Sequence, residues 1–168
     1  LENALGPKQR ANKHYDRMYM PRMSNTTGDI DIHELAIETP SNRLVFVNTK
    51  YSCLATTSPN NGFKPLWKPS FISRLAPEDR CHLNGLAMEA GRPRYVTAVS
   101  QSDVADGWRD HRASGGCLLD VASSAVVCDG LSMPHSPRIY RNTLWLLNSG
   151  TGVFGRVDLP AGKFEPLA

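Results

Sequence analysis

Histidines stand at positions 33 and 135 and an asparagine at 84, successive members 51 positions apart, and each opens a short run that returns through an apolar segment. Imidazole nitrogens and amide or carboxylate oxygens are ligands for divalent metals, and the share of nitrogen selects among zinc, manganese, iron and calcium. In "GDIDIHEL" Asp29, Asp31 and His33 alternate with Ile30 and Ile32. On an extended chain that alternation places the polar three on one face. His82 precedes Asn84 by two residues and shares its face by the same rule. The expected metal ligands are therefore His33, His135, Asn84 and Asp31, with His82 beside them in a wider ligand-binding group. The alternative for each residue is structural: its donors and acceptors cap exposed backbone groups of a neighbouring strand. Residue types alone leave both open.

Other chemistry is poorly supported. Ser136 follows His135, but adjacent residues in a turn do not make a nucleophile and its base, and no G-x-S-x-G is present. "SGTG" at 149–152 lacks the lysine of a phosphate-binding loop and is expected to be a tight turn. Glu34 is a further acid–base candidate, whereas Glu38 is expected in a solvated turn. Trp67 and Trp145 are expected to pack. Trp108 and Arg109 sit in a polar stretch where they could cover or contact a ligand, and the nearby His111 is expected to be solvated.

The elements that position these residues are strands. "RLVFVN", "RYVTAVS", "CLLDV", "AVV" and "TLWLLNS" are short, rich in β-branched and aromatic residues, and bounded by Gly, Pro, Asn or Ser. Helical periodicity is poor, and 12 prolines and 13 glycines oppose long helices. Writing "IHELAIETPSNRLVFVNT" above "LNGLAMEAGRPRYVTAVS" and "PHSPRIYRNTLWLLNS" shows one hairpin repeated three times, and a second hairpin follows in each unit. The fold class is all-β, with three four-stranded antiparallel blades of a β-propeller. Propellers close with about four to eight blades, so the chain is expected to be part of a larger closed one. Its partners are then the remaining blades, or another chain that completes the ring. The expected division is an N-terminal arm over 1–27, a blade over 28–67, a linker loop over 68–80, a blade over 81–130 with an inserted loop at 101–116, and a blade over 131–168. In such an arrangement the first strand of each blade lines the central channel, which places His33, Asn84 and His135 at its mouth.

A chain of 168 residues suits one domain with a real core. The net charge of +3 is too mild to point to nucleic acid, and no apolar run is long enough to cross a bilayer. The N-terminus has neither a signal-peptide core nor an initiator Met, which suggests a processed or truncated chain. Cys53, Cys81, Cys117 and Cys128 follow no C-x-x-C spacing and are expected to be buried reduced thiols of a cytoplasmic protein. Folding "DVASSAVVC" about its centre sets Cys117 opposite Cys128.

The segments "FISRLAPEDRCHLNGLAM", "GRPRYVTAVSQSDVADGWR", "GLSMPHSPR" and "LWLLNSGTGVFGRVD" resemble a bacterial family of conserved hypothetical proteins of unknown function. The resemblance covers nearly the whole chain. It implies a propeller-like fold and a place among the central blades of a protein twice this length, and it brings no activity. "NGLA" at Asn84 also resembles the Asn-Gly-Leu turn of lactonase-type and strictosidine-synthase-type propellers, where an equivalent Asn helps hold a metal. Two of the three aligned positions here are His, which disfavours calcium. The expected function is binding of a small molecule, peptide or divalent metal at the channel face. A metal-dependent hydrolase or lyase built on the same residues is the enzymatic alternative, and a structural scaffold is the third.

Overall fold

The computed structural model describes residues 2–167, and among them there is no α-helix. The arm begins with β1 (Glu2–Asn3) paired to β2 (Tyr19–Met20) and is otherwise irregular and largely exposed up to Gly28. Three four-stranded antiparallel sheets follow, each a meander with its strands in chain order. Blade 1 holds β3 (Ile32–Glu38), β4 (Arg43–Asn48), β5 (Cys53–Thr56) and β6 (Lys64–Trp67). Blade 2 holds β7 (Leu83–Glu89), β8 (Arg92–Ala98), β9 (Gly116–Asp120) and β10 (Val126–Leu131). Blade 3 holds β11 (Pro134–Tyr140), β12 (Thr143–Asn148), β13 (Val153–Asp158) and β14 (Lys163–Pro166). The all-β expectation of propeller-like blades is met.

The repeat is visible in the backbone itself. First strands begin at Ile32, Leu83 and Pro134, again 51 residues apart. The residue before each is left-handed and is not glycine: Asp31 at φ 52, His82 at φ 50 and Met133 at φ 44. Such a residue is strained by its Cβ and persists only where its surroundings hold it. A bulge then follows. Ile32 pairs with Asn48 and Glu34 with Val47, leaving His33 as the extra residue; Leu83 pairs with Ala98 and Gly85 with Thr97, leaving Asn84. In blade 3 the irregularity lies between His135 and Arg138. A bulge re-aims a side chain and twists its strand, so simple alternation fails at these points. The shared face expected for Asp29, Asp31 and His33, and for His82 and Asn84, is interrupted by the left-handed residue at 31 and at 82.

The core lies between the blades. Val45, Val47 and Leu54 of blade 1 pack against Leu83, Leu86, Val96, Ala98 and Leu119 of blade 2. On the other face of blade 2, Ala87, Tyr95 and Leu118 meet Leu144, Leu146 and Val157 of blade 3. The outermost faces are less covered. Leu35 and Ile37 of blade 1 are 60% and 49% exposed, and Tyr140 and Phe154 of blade 3 are 60% and 40% exposed. First strands of blades 2 and 3 approach closely at Gly85, where a Cβ would lie 2.4 Å from both Pro137 Cδ and Thr97 Oγ1.

Cys117 and Cys128 do not face each other, contrary to the hairpin expectation. Cys117 pairs with Ala98 on β8 while Cys128 pairs with Leu118 on β9, because β9 and β10 shift register twice. All four cysteines are free and buried.

The two stretches that break the repeat are tied to each other. Arg80, buried, donates from Nε to Glu78 at 2.8 Å and from Nη1 to Asp103 at 2.7 Å and Ser73 Oγ at 3.1 Å. Asp103 also accepts from the Ser73 backbone N–H at 3.0 Å.

Candidate metal centre

The first strands, with the residue that leads into β7, carry three histidines to one place. One ring nitrogen each from His33, His82 and His135 lies within 4.8 Å of the other two. The His33 ring centroid is 4.9 Å from that of His82 and 6.4 Å from that of His135. His33 arrives on the bulge of β3, His135 on the second residue of β11, and His82 on the left-handed residue before β7. Each blade contributes one imidazole, yet blade 2 contributes it from a different repeat position.

The tautomer of every ring follows from its partner. His135 Nδ1 lies 2.8 Å from the carbonyl oxygen of Met133, which can only accept, so Nδ1 carries the proton. His82 Nδ1 lies 2.8 Å from Asp79 Oδ2, also an acceptor. His33 Nδ1 lies 2.8 Å from Thr49 Oγ1, whose single hydroxyl proton is already donated to Leu83 O at 2.6 Å. Thr49 must therefore accept from His33. In its neutral form each imidazole therefore holds its proton on Nδ1 and keeps a bare lone pair on Nε2, the nitrogen it has left to offer. Metal-binding histidines are oriented in this way, by an acceptor on the nitrogen away from the metal.

Burial pushes the His135 imidazole below its usual range, reinforced by the neighbouring His82 and His33 and opposed by the Met133 carbonyl. At His135 the surroundings thus favour the neutral ring that a metal needs.

The remaining sequence-derived residues take other places. Asn84 is buried; its Oδ1 accepts from Thr97 Oγ1 at 2.6 Å, and its Nδ2 is buried without a partner. Asp31 Oδ1 lies 3.8 Å from His33 Nδ1, on the side of the ring that Thr49 occupies. Trp108 is 7% exposed and lies over His82, ring centroids 4.2 Å apart, while the Arg109 guanidinium lies 4.5 Å from the Trp108 ring on an otherwise exposed side chain. Glu34 pairs with Arg138 at 2.9 Å, and Arg138 also donates to Leu86 O at 3.2 Å, so one guanidinium spans the first strands of all three blades. His111 is exposed, as expected. Glu38 departs from its expected solvated turn. It ends β3 buried, with Ser41 at 2.5 Å and Arg43 at 2.7 Å, and the Ser41 hydroxyl leads in holding its carboxyl below the usual range.

Thr49 and Asp79, the partners of His33 and His82, went unnoticed in the sequence. The usable signal for Asp79 was its place three residues before a histidine; Thr49 gave none, because it faces His33 only across the β3–β4 hairpin.

A family model matches residues 1–168, the whole chain. The chain belongs to DUF4915, a domain of unknown function. No curated protein matches it. The DUF4915 domain therefore receives no activity by likeness, and its chemistry has to be argued from the three imidazoles.

Proposed function

We propose that this domain binds a divalent metal ion through His33, His82 and His135 on the face formed by its first strands. The observation that carries this is the cluster together with its common tautomer: one ring nitrogen of each histidine lies within 4.8 Å of the other two, and each Nδ1 has an acceptor beside it, which leaves Nε2 as the free donor of each ring. Three lone pairs brought together repel one another, and a cation relieves that repulsion. Three nitrogen donors suit zinc and its late first-row neighbours, and oxygen-seeking calcium and magnesium poorly. His33, His82 and His135 would hold the ion. Three protein ligands also leave a position for an exchangeable water or an oxygen donor of a small molecule, the arrangement of catalytic rather than structural zinc sites. Bound there, the ion would supply Lewis acidity or an activated water. That open position favours the hydrolase or lyase reading over a scaffold.

We also propose that further blades of the same repeat cover the outward faces of blades 1 and 3. Trp145 and Leu147 occupy in blade 3 the register positions that Val45 and Val47 occupy in blade 1, where blade 2 buries them.

Metal analysis of the purified protein tests the centre. About one zinc or cobalt ion per chain is expected, lost in His82→Ala and in the His33→Ala, His135→Ala pair, and retained in Asn84→Ala. Metal retained by His82→Ala, or none bound by the folded wild-type chain, would sink the proposal.

A further inference from the structure

We infer that Asp79 is a positioning residue for the histidine centre and couples it to the loop carrying Trp108, so that docking of this loop and metal occupancy at His82 favour one another. This rests on the metal reading above and adds a regulatory link to it.

A single carboxylate oxygen carries the coupling. Asp79 Oδ2 accepts from His82 Nδ1 at 2.8 Å and from Trp108 Nε1 at 2.8 Å. The indole then lies against the imidazole it shares that oxygen with, at 4.2 Å between centroids and 30° between planes. The other oxygen, Oδ1, is buried without a partner, so the carboxylate spends its bonding on these two rings.

Its backbone is held equally firmly. Asp79 is left-handed at φ 42, and its N–H donates to Lys50 O at 2.9 Å beside that of Glu78 at 3.0 Å. The Trp108 turn (Gly107–His111) is fastened to the same segment, because the Asp106 N–H donates to Glu78 O at 2.9 Å. The Arg80 clamp joins Glu78 to Asp103 at the start of the inserted stretch.

A cation on Nε2 of His82 withdraws electron density from the ring. The Nδ1–H becomes a stronger donor to Asp79, and the more positive ring is a better partner for the indole face. Both changes tighten the loop. Linkage makes the effect mutual: whatever factor the metal adds to docking, docking adds to metal affinity. The carboxylate and the indole therefore act on the centre through His82.

Cobalt(II) titration with the visible absorption of the bound ion as readout tests this, alongside amide hydrogen exchange over 101–116. In the wild type, cobalt is expected to slow exchange across that loop. Asp79→Asn should weaken cobalt binding about 10- to 100-fold and remove the slowing. Trp108→Phe keeps an aromatic ring but lacks the N–H; it should weaken binding by a smaller factor and also uncouple exchange from cobalt, and it carries the test alone if Asp79→Asn does not fold. Wild-type cobalt affinity in the variants, or loop exchange in the wild type that ignores cobalt, overturns the coupling and leaves the metal centre standing. A wild-type protein that binds no cobalt overturns the metal centre itself, and the coupling with it.

Discussion

Thr49 of blade 1 donates its hydroxyl proton to the carbonyl oxygen of Leu83 in blade 2, at 2.6 Å. That bond decides the protonation of His33, because a hydroxyl whose proton is engaged can only accept. Thr49→Val should remove this interblade bond to a buried residue and leave the His33 Nδ1–H without its acceptor. We expect a loss of about 1–3 kcal/mol in stability, read by denaturant titration, with about a 10- to 100-fold loss in zinc affinity, read by calorimetry. A variant that loses stability but keeps full affinity would separate the interblade bond from the ligand.

Gly85 permits the close approach of β7 and β11. Gly85→Ala puts a methyl 2.4 Å from Pro137 and Thr97 on two different strands, which cannot both withdraw. Overpacking of this kind costs about 1–3 kcal/mol. Thermal unfolding should show a lower midpoint, whereas Gly130→Ala, whose Cβ meets nothing within 4 Å, should suffer only from its left-handed backbone.

Asp103 gives a pH dependence whose sign is fixed. The Ser73 hydroxyl and N–H, followed by Arg80, hold its carboxyl down to about 2 from an ordinary 3.8. A carboxyl lowered on folding stabilises above its unfolded value, and that contribution disappears as the pH falls from about 4 toward about 2. Asp103→Asn should therefore be less stable than wild type at pH 7, with the gap closing through that acid window in melts at successive pH values.

The thiols should be inert in the folded protein. Burial pushes Cys53, Cys81 and Cys117 up to about 12 and raises Cys128 as well. Thiolate is the reactive form, so a disulfide-exchange reagent at pH 8 should find four thiols only after denaturation. Rapid modification of the native protein would contradict this.

Much of the scaffold was legible in the chain. The strands at 43–48 and 143–149 and the spacing of positions 33, 84 and 135 follow from β-branched runs and a repeat that the backbone keeps to the residue. His33 and His135 were legible for the same reason. The third imidazole was harder to place, because alternation sets His82 on the Asn84 face, and only the left-handed backbone at 82 turns it toward the other two histidines. Asn84 looked equivalent to His33, and in strand register it is. Its amide oxygen turns instead to Thr97, a polar partner on β8 that Val47 does not offer in the equivalent place on β4. Column alignment finds the socket; the partner on the next strand decides which way the side chain leaves it.

Blades in series pack mainly on their neighbours, so an array of them can fray from either end, one unit at a time. The Glu34–Arg138 pair already reaches from blade 1 to blade 3, and an ion shared by the histidines at 33, 82 and 135 would add a second, stronger tie across blade 2. Bound metal would act as a clasp that closes two long chain loops at once, and the three sheets would then melt together instead of peeling apart.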